Sequence, residues 1–260
     1  MNYNCAMISG VGLFREINQD NLYCNGIYRE DIYSKELFRH TDYRKNTGLY
    51  AVADGMGGGV EGEVASLEAV RFLGRIEGLT EPKQFEKYLL ECNNDICNYQ
   101  KRKYGQNSRQ MGTTFAGVSI YGETAVIANI GDSRIYQIRN GMLRQISRDH
   151  TTAQTLLDAG ILTREEAEKH SSRHQLSQCL GIFSDEMVIQ PFTEVICLEA
   201  GDGILLCSDG LAEGLDDQEI EAILRDCPEP ETAVECLYQR AESNGTKDNI
   251  TVLYIQIGED

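Results

Sequence analysis

The chain has 260 residues, 41% of them apolar, with 25 glycines, no tryptophan and a formal net charge of −17. That is enough apolar material for an ordinary core and too much for a disordered tail, and the length suits one domain spanning 1–260. The negative excess offers a phosphate backbone or an anionic membrane surface nothing to bind, so neither nucleic acid nor membrane is expected as a partner.

In chain order, residues 25–47 carry Tyr28, Tyr33 and Tyr43 beside Arg29, Lys35, Arg39, Arg44 and Lys45, a basic, tyrosine-rich insertion in an acidic chain. Apolar residues recurring at three and four, as in Val64, Leu67, Val70 and Leu73, predict a helix over 62–76 and a second over 82–104. Strand-like runs follow at 111–121, 124–130, 134–138 and 143–146. They are joined by Tyr121-Gly122-Glu123 and Arg139-Asn140-Gly141, turns that suit antiparallel meanders. A polar segment, 151–185, holds helical patterns at 152–159 and 164–169 and has the look of a second insertion. Strands at 195–198 and 203–207, helices at 217–224 and 231–242, and a last strand at 250–257 complete the pattern. Paired helices beside mostly antiparallel sheets imply a layered α+β domain.

The nine cysteines are odd in number, scattered, and lack a C-x-x-C pair, which suits neither a disulfide framework nor a zinc site. Reduced thiols in a cytoplasmic core are expected. The first residues show no basic stretch leading into an apolar run, and no apolar segment nears ~18 residues.

The chemical signal is a recurring event. Apolar runs end in an aspartate followed by a small or turn-prone residue at Asp54-Gly55, Asp132-Ser133 and Asp209-Gly210, while Asp248-Asn249 and Asp20 each precede such a run. Any one Asp-Gly reads as a turn. Five carboxylates delivered from strand ends, with glycines that let carbonyls approach, suit hard divalent cations. Oxygen-only donors select Mg²⁺ or Mn²⁺ over zinc. A water held between two such cations becomes hydroxide near neutral pH and attacks phosphorus in line. The chain contains no G-x-S-x-G, H-E-x-x-H, C-x5-R or G-x4-G-K-[ST] pattern to support a covalent or nucleotide-binding alternative.

Read together, Arg15-Glu-Ile-Asn-Gln-Asp20, Asp54-Gly-Met-Gly-Gly58 with Gly62-Glu-Val-Ala-Ser66, Gly112-Thr-Thr114, Gly131-Asp-Ser-Arg134, Arg148-Asp-His-Thr151, Ser208-Asp-Gly-Leu211 and Asp248-Asn-Ile-Thr251 resemble the ordered motifs of metal-dependent protein phosphatases of type 2C. The resemblance covers residues 10–257 and favours a bacterial-type member. It implies a four-layer α-β-β-α sandwich, two antiparallel sheets flanked by helix pairs. It also implies hydrolysis of phosphoserine and phosphothreonine on proteins with two or three Mn²⁺ or Mg²⁺ ions. Carried over residue by residue, Asp54 would bridge two ions, Asp209 and Asp248 would complete the first position, and the Gly55 carbonyl with Asp20, through water, would serve the second. Asp132 with Asp209 matches a third, weaker position, and Arg15 would hold the substrate phosphate, a role its two-pronged guanidinium suits.

Some features depart from the pattern. Gln19 stands where many members have Glu, Met56 follows Gly55 where animal-type members have His, and 25–47 exceeds the short hairpin expected. No general acid is assigned. His170 and His174 are four apart, but Ser171-Ser172 between them argues for solvated residues rather than a metal pair. Asp149-His150 reads as a turn or cap before the flap-like 151–185, and Gly112-Thr113-Thr114 as the entry to a buried strand.

The expectation is therefore a monomeric, cytoplasmic serine/threonine protein phosphatase whose partners are phosphorylated proteins, including a kinase or its substrates. Two alternatives stand beside it: a catalytically silent phosphoprotein-binding module and a two-metal phosphodiesterase. The second would need a basic track, and only 25–47 is basic. Basic, tyrosine-rich 25–47 is read as a docking element.

Overall fold

The computed structural model describes residues 1–56, 61–76, 79–105 and 111–258. Two antiparallel sheets lie face to face, with elements numbered in chain order. From edge to edge, one sheet runs β10 (Met142–Gln145), β9 (Arg134–Arg139), β12 (Gly203–Cys207), β13 (Ile250–Gly258), β1 (Asn2–Gly10) and β4 (Phe38–Lys45). The other runs β11 (Phe192–Cys197), β8 (Thr124–Ile130), β7 (Phe115–Tyr121), β5 (Thr47–Met56), β2 (Asp20–Cys24) and β3 (Ile27–Tyr28), with β6 (Gly112–Thr113) paired to β5.

Helices α1 (Gly62–Leu73) and α2 (Pro82–Tyr104) cover the outer face of the second sheet, while α5 (Asp209–Gly214), α6 (Asp217–Asp226) and α7 (Pro230–Ser243) cover that of the first. Between the sheets lies an apolar layer that includes Tyr3, Leu22, Val52, Val118, Ile135, Leu206 and Leu253. The strand period explains how β5 serves two layers. Tyr50 and Val52 enter the inter-sheet core, and Ala51 and Ala53 turn to the helices, where their small side chains meet Ala65 and Ala69. Local sequence marks several helix starts: Glu81 and Gln84 form a capping box ahead of α2 with Pro82 in its first turn, and Asp216 and Glu219 do the same for α6.

The segment 25–47 is woven into both sheets. It forms β3, then crosses over to become β4, the edge strand paired with β1 from Asn2↔Lys45 to Ser9↔Phe38. From Phe38 to Tyr43 partly buried residues alternate with exposed ones, as on a half-exposed edge strand, and Arg29 is only 3% exposed.

Segment 151–185 carries α3 (Thr152–Asp158) and α4 (Arg164–Lys169) and lies beside the strand ends. It is tied down at its far end. Thr113 and Leu180 exchange backbone hydrogen bonds, Asn93 on α2 accepts from Gly181 N and donates to Ile182 O, and Gln100 donates to Gly181 O. No described helix is long and apolar enough to cross a membrane.

Candidate metal centre

The predicted carboxylates meet at one end of the sandwich, each carried by a strand end or helix start. Asp20 opens β2 and faces Asp54 of β5 directly across the antiparallel ladder. Asp209 starts α5 immediately after β12, Asp248 lies two residues before β13, and Asp132 sits in the turn from β8 to β9. All lie where a strand's backbone pairing ends, so a side chain is held rigidly yet free of the ladder.

Close approach is enforced by glycine. A Cβ on Gly55 would collide with the carbonyls of Gly62 and Gln19, and one on Gly210 with the carbonyl of Asn249. No side chain fits there without moving backbone.

The electrostatics are those of a crowded anionic site. Burial, then the charges of Asp20, Asp209, Asp132 and Asp248, push the Asp54 carboxyl well above the usual carboxylate range. Asp209 is raised likewise, by burial and then by Asp132, Asp248 and Glu213. Burial lifts Asp20 to about 6 against the hydrogen bonds of Ser208 and Thr251 and the charge of Arg29, and it lifts Asp132 to about 7. Nothing among the described residues offers Asp209 Oδ1 a partner although that atom is shielded from solvent. A buried acceptor without a hydrogen-bond partner amid other carboxylates is unfavourable until a cation occupies the space, and the carboxylate oxygens around it suit Mg²⁺ or Mn²⁺.

Arg15 reaches the same place from the loop after β1. Its Nη2 donates to Asp248 Oδ2 at 2.6 Å and its Nε to Lys247 O at 3.3 Å, while the side chain stays 50% exposed. Burial works against the guanidinium, but the Asp248 hydrogen bond and the charges of Asp248, Asp209 and Asp54 raise its pKa. The loop is pinned by Asn249, whose Nδ2 donates to Val11 O and Ile17 O and whose Oδ1 accepts from Gln19 N.

Polar residues behind the carboxylates escaped the sequence reading. Ser208 Oγ donates to Asp20 Oδ2 at 2.7 Å and accepts from Thr251 N; Asn18 Oδ1 accepts from Asp20 N. The buried Arg29 guanidinium donates to Asn18 O at 2.5 Å and Asp20 O at 2.7 Å, a counter-charge behind the anionic cluster. Its only sequence signal was basicity, shared with its neighbours. Gln19 Nε2 donates to Glu63 Oε2 at 3.0 Å, a bond that a Glu at this position would replace with like-charge repulsion.

Thr113 and Thr114 do more than open a strand. Thr113 Oγ1 and Thr114 N both donate to Asp54 O, and Thr114 Oγ1 accepts from Asp54 N, so the pair clamps the backbone of Asp54. Asp149 forms a partly buried ion pair with Arg134, Nη2 to Oδ2 2.8 Å. His150 Nδ1 accepts from Gly131 N, and burial lowers its pKa to about 4, so it is neutral when it holds the Asp132 turn. Gly57 and Gly58 lie outside the described residues.

The two histidines part company. Helix α4 ends before them; His170 turns to Ser172, whereas a ring nitrogen of His174 lies with carboxylate oxygens of Asp132 and Asp209, all within 4.8 Å of one another.

The description of the family whose model matches residues 23–245 is protein phosphatase 2C. The chain is 34% identical over 221 residues to the serine/threonine phosphatase stp of Listeria monocytogenes serotype 4b, covering 82% of this chain and 86% of that protein. Its fold is similar to the crystal structure of the Mycobacterium tuberculosis serine/threonine phosphatase PstP/Ppp, with TM-score 0.83, 30% identity and 100% of both chains covered. It is likewise similar to the catalytic domain of PstP in complex with two manganese ions, with TM-score 0.79, 30% identity and all of both chains covered.

Proposed function

The chain belongs to the protein phosphatase 2C family and is a metal-dependent serine/threonine protein phosphatase, and from that premise we propose which of its residues do the work. Asp54, Asp209, Asp248 and Asp20, with the Gly55 carbonyl, would together hold two Mn²⁺ or Mg²⁺ ions. The observation that carries this is the shielded Asp209 Oδ1, without a hydrogen-bond partner among the described residues, amid carboxylates whose mutual repulsion a bound cation would relieve. When bound, the ions supply Lewis-acid polarisation of water and phosphoryl oxygens.

The chain's own groups supply position. Arg15, half-exposed at the rim, presents its guanidinium to the phosphate of a phosphoserine or phosphothreonine and balances charge gathering on its oxygens. Asn249 holds the loop that carries it. Ser208 and Asn18 fix Asp20, while Thr113 and Thr114 fix Asp54, so the carboxylates keep their spacing without cost at the moment of reaction.

The substrates are phosphorylated proteins; a serine/threonine kinase or its targets are the partners that fit a phosphatase of this kind. We read the protein as a cytoplasmic monomer; cysteines scattered through the chain without a disulfide among the described residues suit a reducing compartment. The whole chain is one catalytic domain, with 151–185 as its flap.

Phosphate release from a phosphothreonine peptide tests the reading, using chelator-stripped protein with and without Mn²⁺ and the Asp209→Asn variant beside it. Release that depends on Mn²⁺ and is lost in the variant is expected. Release without metal, or undiminished in the variant, overturns the site assignment.

A further inference from the structure

Segment 151–185 brings one nitrogen donor into an otherwise oxygen-lined site. A ring nitrogen of His174 lies with carboxylate oxygens of Asp132 and Asp209, all within 4.8 Å of one another, a separation that lets one ion touch all three. The three come from separate parts of the fold: the β8–β9 turn, the start of α5, and the turn that follows α4. Asp132 is only 9% exposed, and the Asp209 oxygen left without a partner is shielded from solvent.

The surroundings of the ring fit a ligand held in waiting. Arg173 Nε donates to His174 Nε2 at 2.6 Å, and Glu213 Oε1 stands 3.7 Å from Nδ1. A neutral imidazole has one lone pair, so in this arrangement the Arg173 N–H occupies it and Nδ1 carries the proton. Whichever nitrogen takes a cation, that lone pair must leave Arg173. The remaining N–H then has an acceptor to seek, and Glu213 is the carboxylate at hand, the arrangement that commonly orients metal-bound histidine.

We propose that His174 adds a nitrogen ligand to the third cation position that the family resemblance implies at Asp132 and Asp209, and so couples occupancy of that position to the placement of the 170–175 turn. The inference rests on the reading of the carboxylates as metal ligands. By linkage, an ion that binds His174 holds the turn at the site, and a turn held elsewhere weakens the ion equally. The nitrogen donor also shifts the preference of this position toward Mn²⁺ over Mg²⁺, which favours oxygen alone.

The test is calorimetric titration of chelator-stripped protein with Mn²⁺ and with Mg²⁺, joined to pulsed electron paramagnetic resonance of the Mn²⁺-loaded protein. In the intact chain we expect a third binding step and modulation from a directly bound ¹⁴N. His174→Ala abolishes the nitrogen modulation, weakens only the third Mn²⁺ step by on the order of tenfold or more, and narrows the gap between Mn²⁺ and Mg²⁺. His174→Asp restores the third step without the nitrogen signal, which a purely structural role for the ring would not do. Two Mn²⁺ steps with no nitrogen modulation, or modulation that persists in His174→Ala, overturn this inference and leave the phosphatase site standing. A chain that takes up no Mn²⁺ at all overturns both.

Discussion

Asp54 and Asp209 are buried acids whose charges repel one another and those of Asp20, Asp132 and Asp248. Replacing either by Asn keeps the shape and removes a charge the cations need. Asp54→Asn and Asp209→Asn are each expected to lower kcat by about 10³-fold or more, since several kcal/mol of metal-derived stabilisation is lost. Both variants should still give the circular dichroism spectrum of the intact chain, and near-normal turnover would refute the assignment. Arg15 is different. Its ion pair with Asp248 is half-exposed, so the pair itself adds little stability. Arg15→Ala should leave the melting temperature within a degree or two while raising KM and lowering kcat on a phosphopeptide, about tenfold or more in kcat/KM. Steady-state kinetics check this, and unchanged values of both parameters would remove Arg15 from phosphate binding.

Glycine at 210 shows how an element's packing outweighs its propensity. In α5 an alanine would ordinarily gain about 1 kcal/mol over glycine. Here its Cβ runs into the Asn249 backbone carbonyl, so Gly210→Ala is expected to cost about 1–3 kcal/mol in urea unfolding. The reversal of sign is the measurable point. Segment 25–47 makes the same argument on a larger piece of chain. Beyond the docking role read from its charge, it supplies the β4 edge of a sheet and, through Arg29, hydrogen bonds to the carbonyls of Asn18 and Asp20. Removing 29–45 should therefore give no folded protein. Arg29→Met, which keeps much of the side chain's apolar stem, should lose about 3 kcal/mol of stability, because two buried carbonyls lose charged donors.

For the molecule as a whole, the metal centre ties stability to pH. Asp20, lifted to about 6, and Asp132, lifted to about 7, hold protons more tightly folded than unfolded. The stability they allow is full below about pH 4 and falls as pH rises through 6 to 7. Chelator-stripped protein should therefore melt at least about 5 °C lower at pH 8 than at pH 5.5. Saturating Mn²⁺ should shrink that difference, since bound cations replace protons as the countercharge. Asp132→Asn should flatten the metal-free profile. Scanning calorimetry at both pH values, with and without metal, decides the matter, and a metal-free profile that rises toward pH 8 would contradict the electrostatics.

Much of this was legible in the sequence. The spacing of apolar residues marked α1, α2, α6 and α7 and the hairpins β7–β8 and β9–β10, because periodicity records which face of each element is buried; that the chain changes sheets between β8 and β9 was not visible. Strands β1 and β4 were missed: the first mixes Asn2 and Asn4 into its run, and the second is almost wholly polar and charged, as an exposed edge strand can be. The aspartates that end strands could be picked out as candidate cation ligands because Asp54, Asp132 and Asp209 each stand at the close of an apolar run beside a small residue. What supports them was hidden. Ser208, Asn18 and Asn249 lie inside motifs that gave them no role, and Arg29 lies outside any; each acts through a partner up to 238 positions away, as Asn249 does for Val11. His174 is the clearest case. The serines between it and His170 argued for solvated residues, and only the fold brings the turn after α4 against the β8–β9 turn and the start of α5. The sequence by itself determined which atoms could bind a cation, since donor chemistry belongs to residue type. The tertiary structure alone decided which of them converge, since convergence depends on chain crossings that no local pattern encodes.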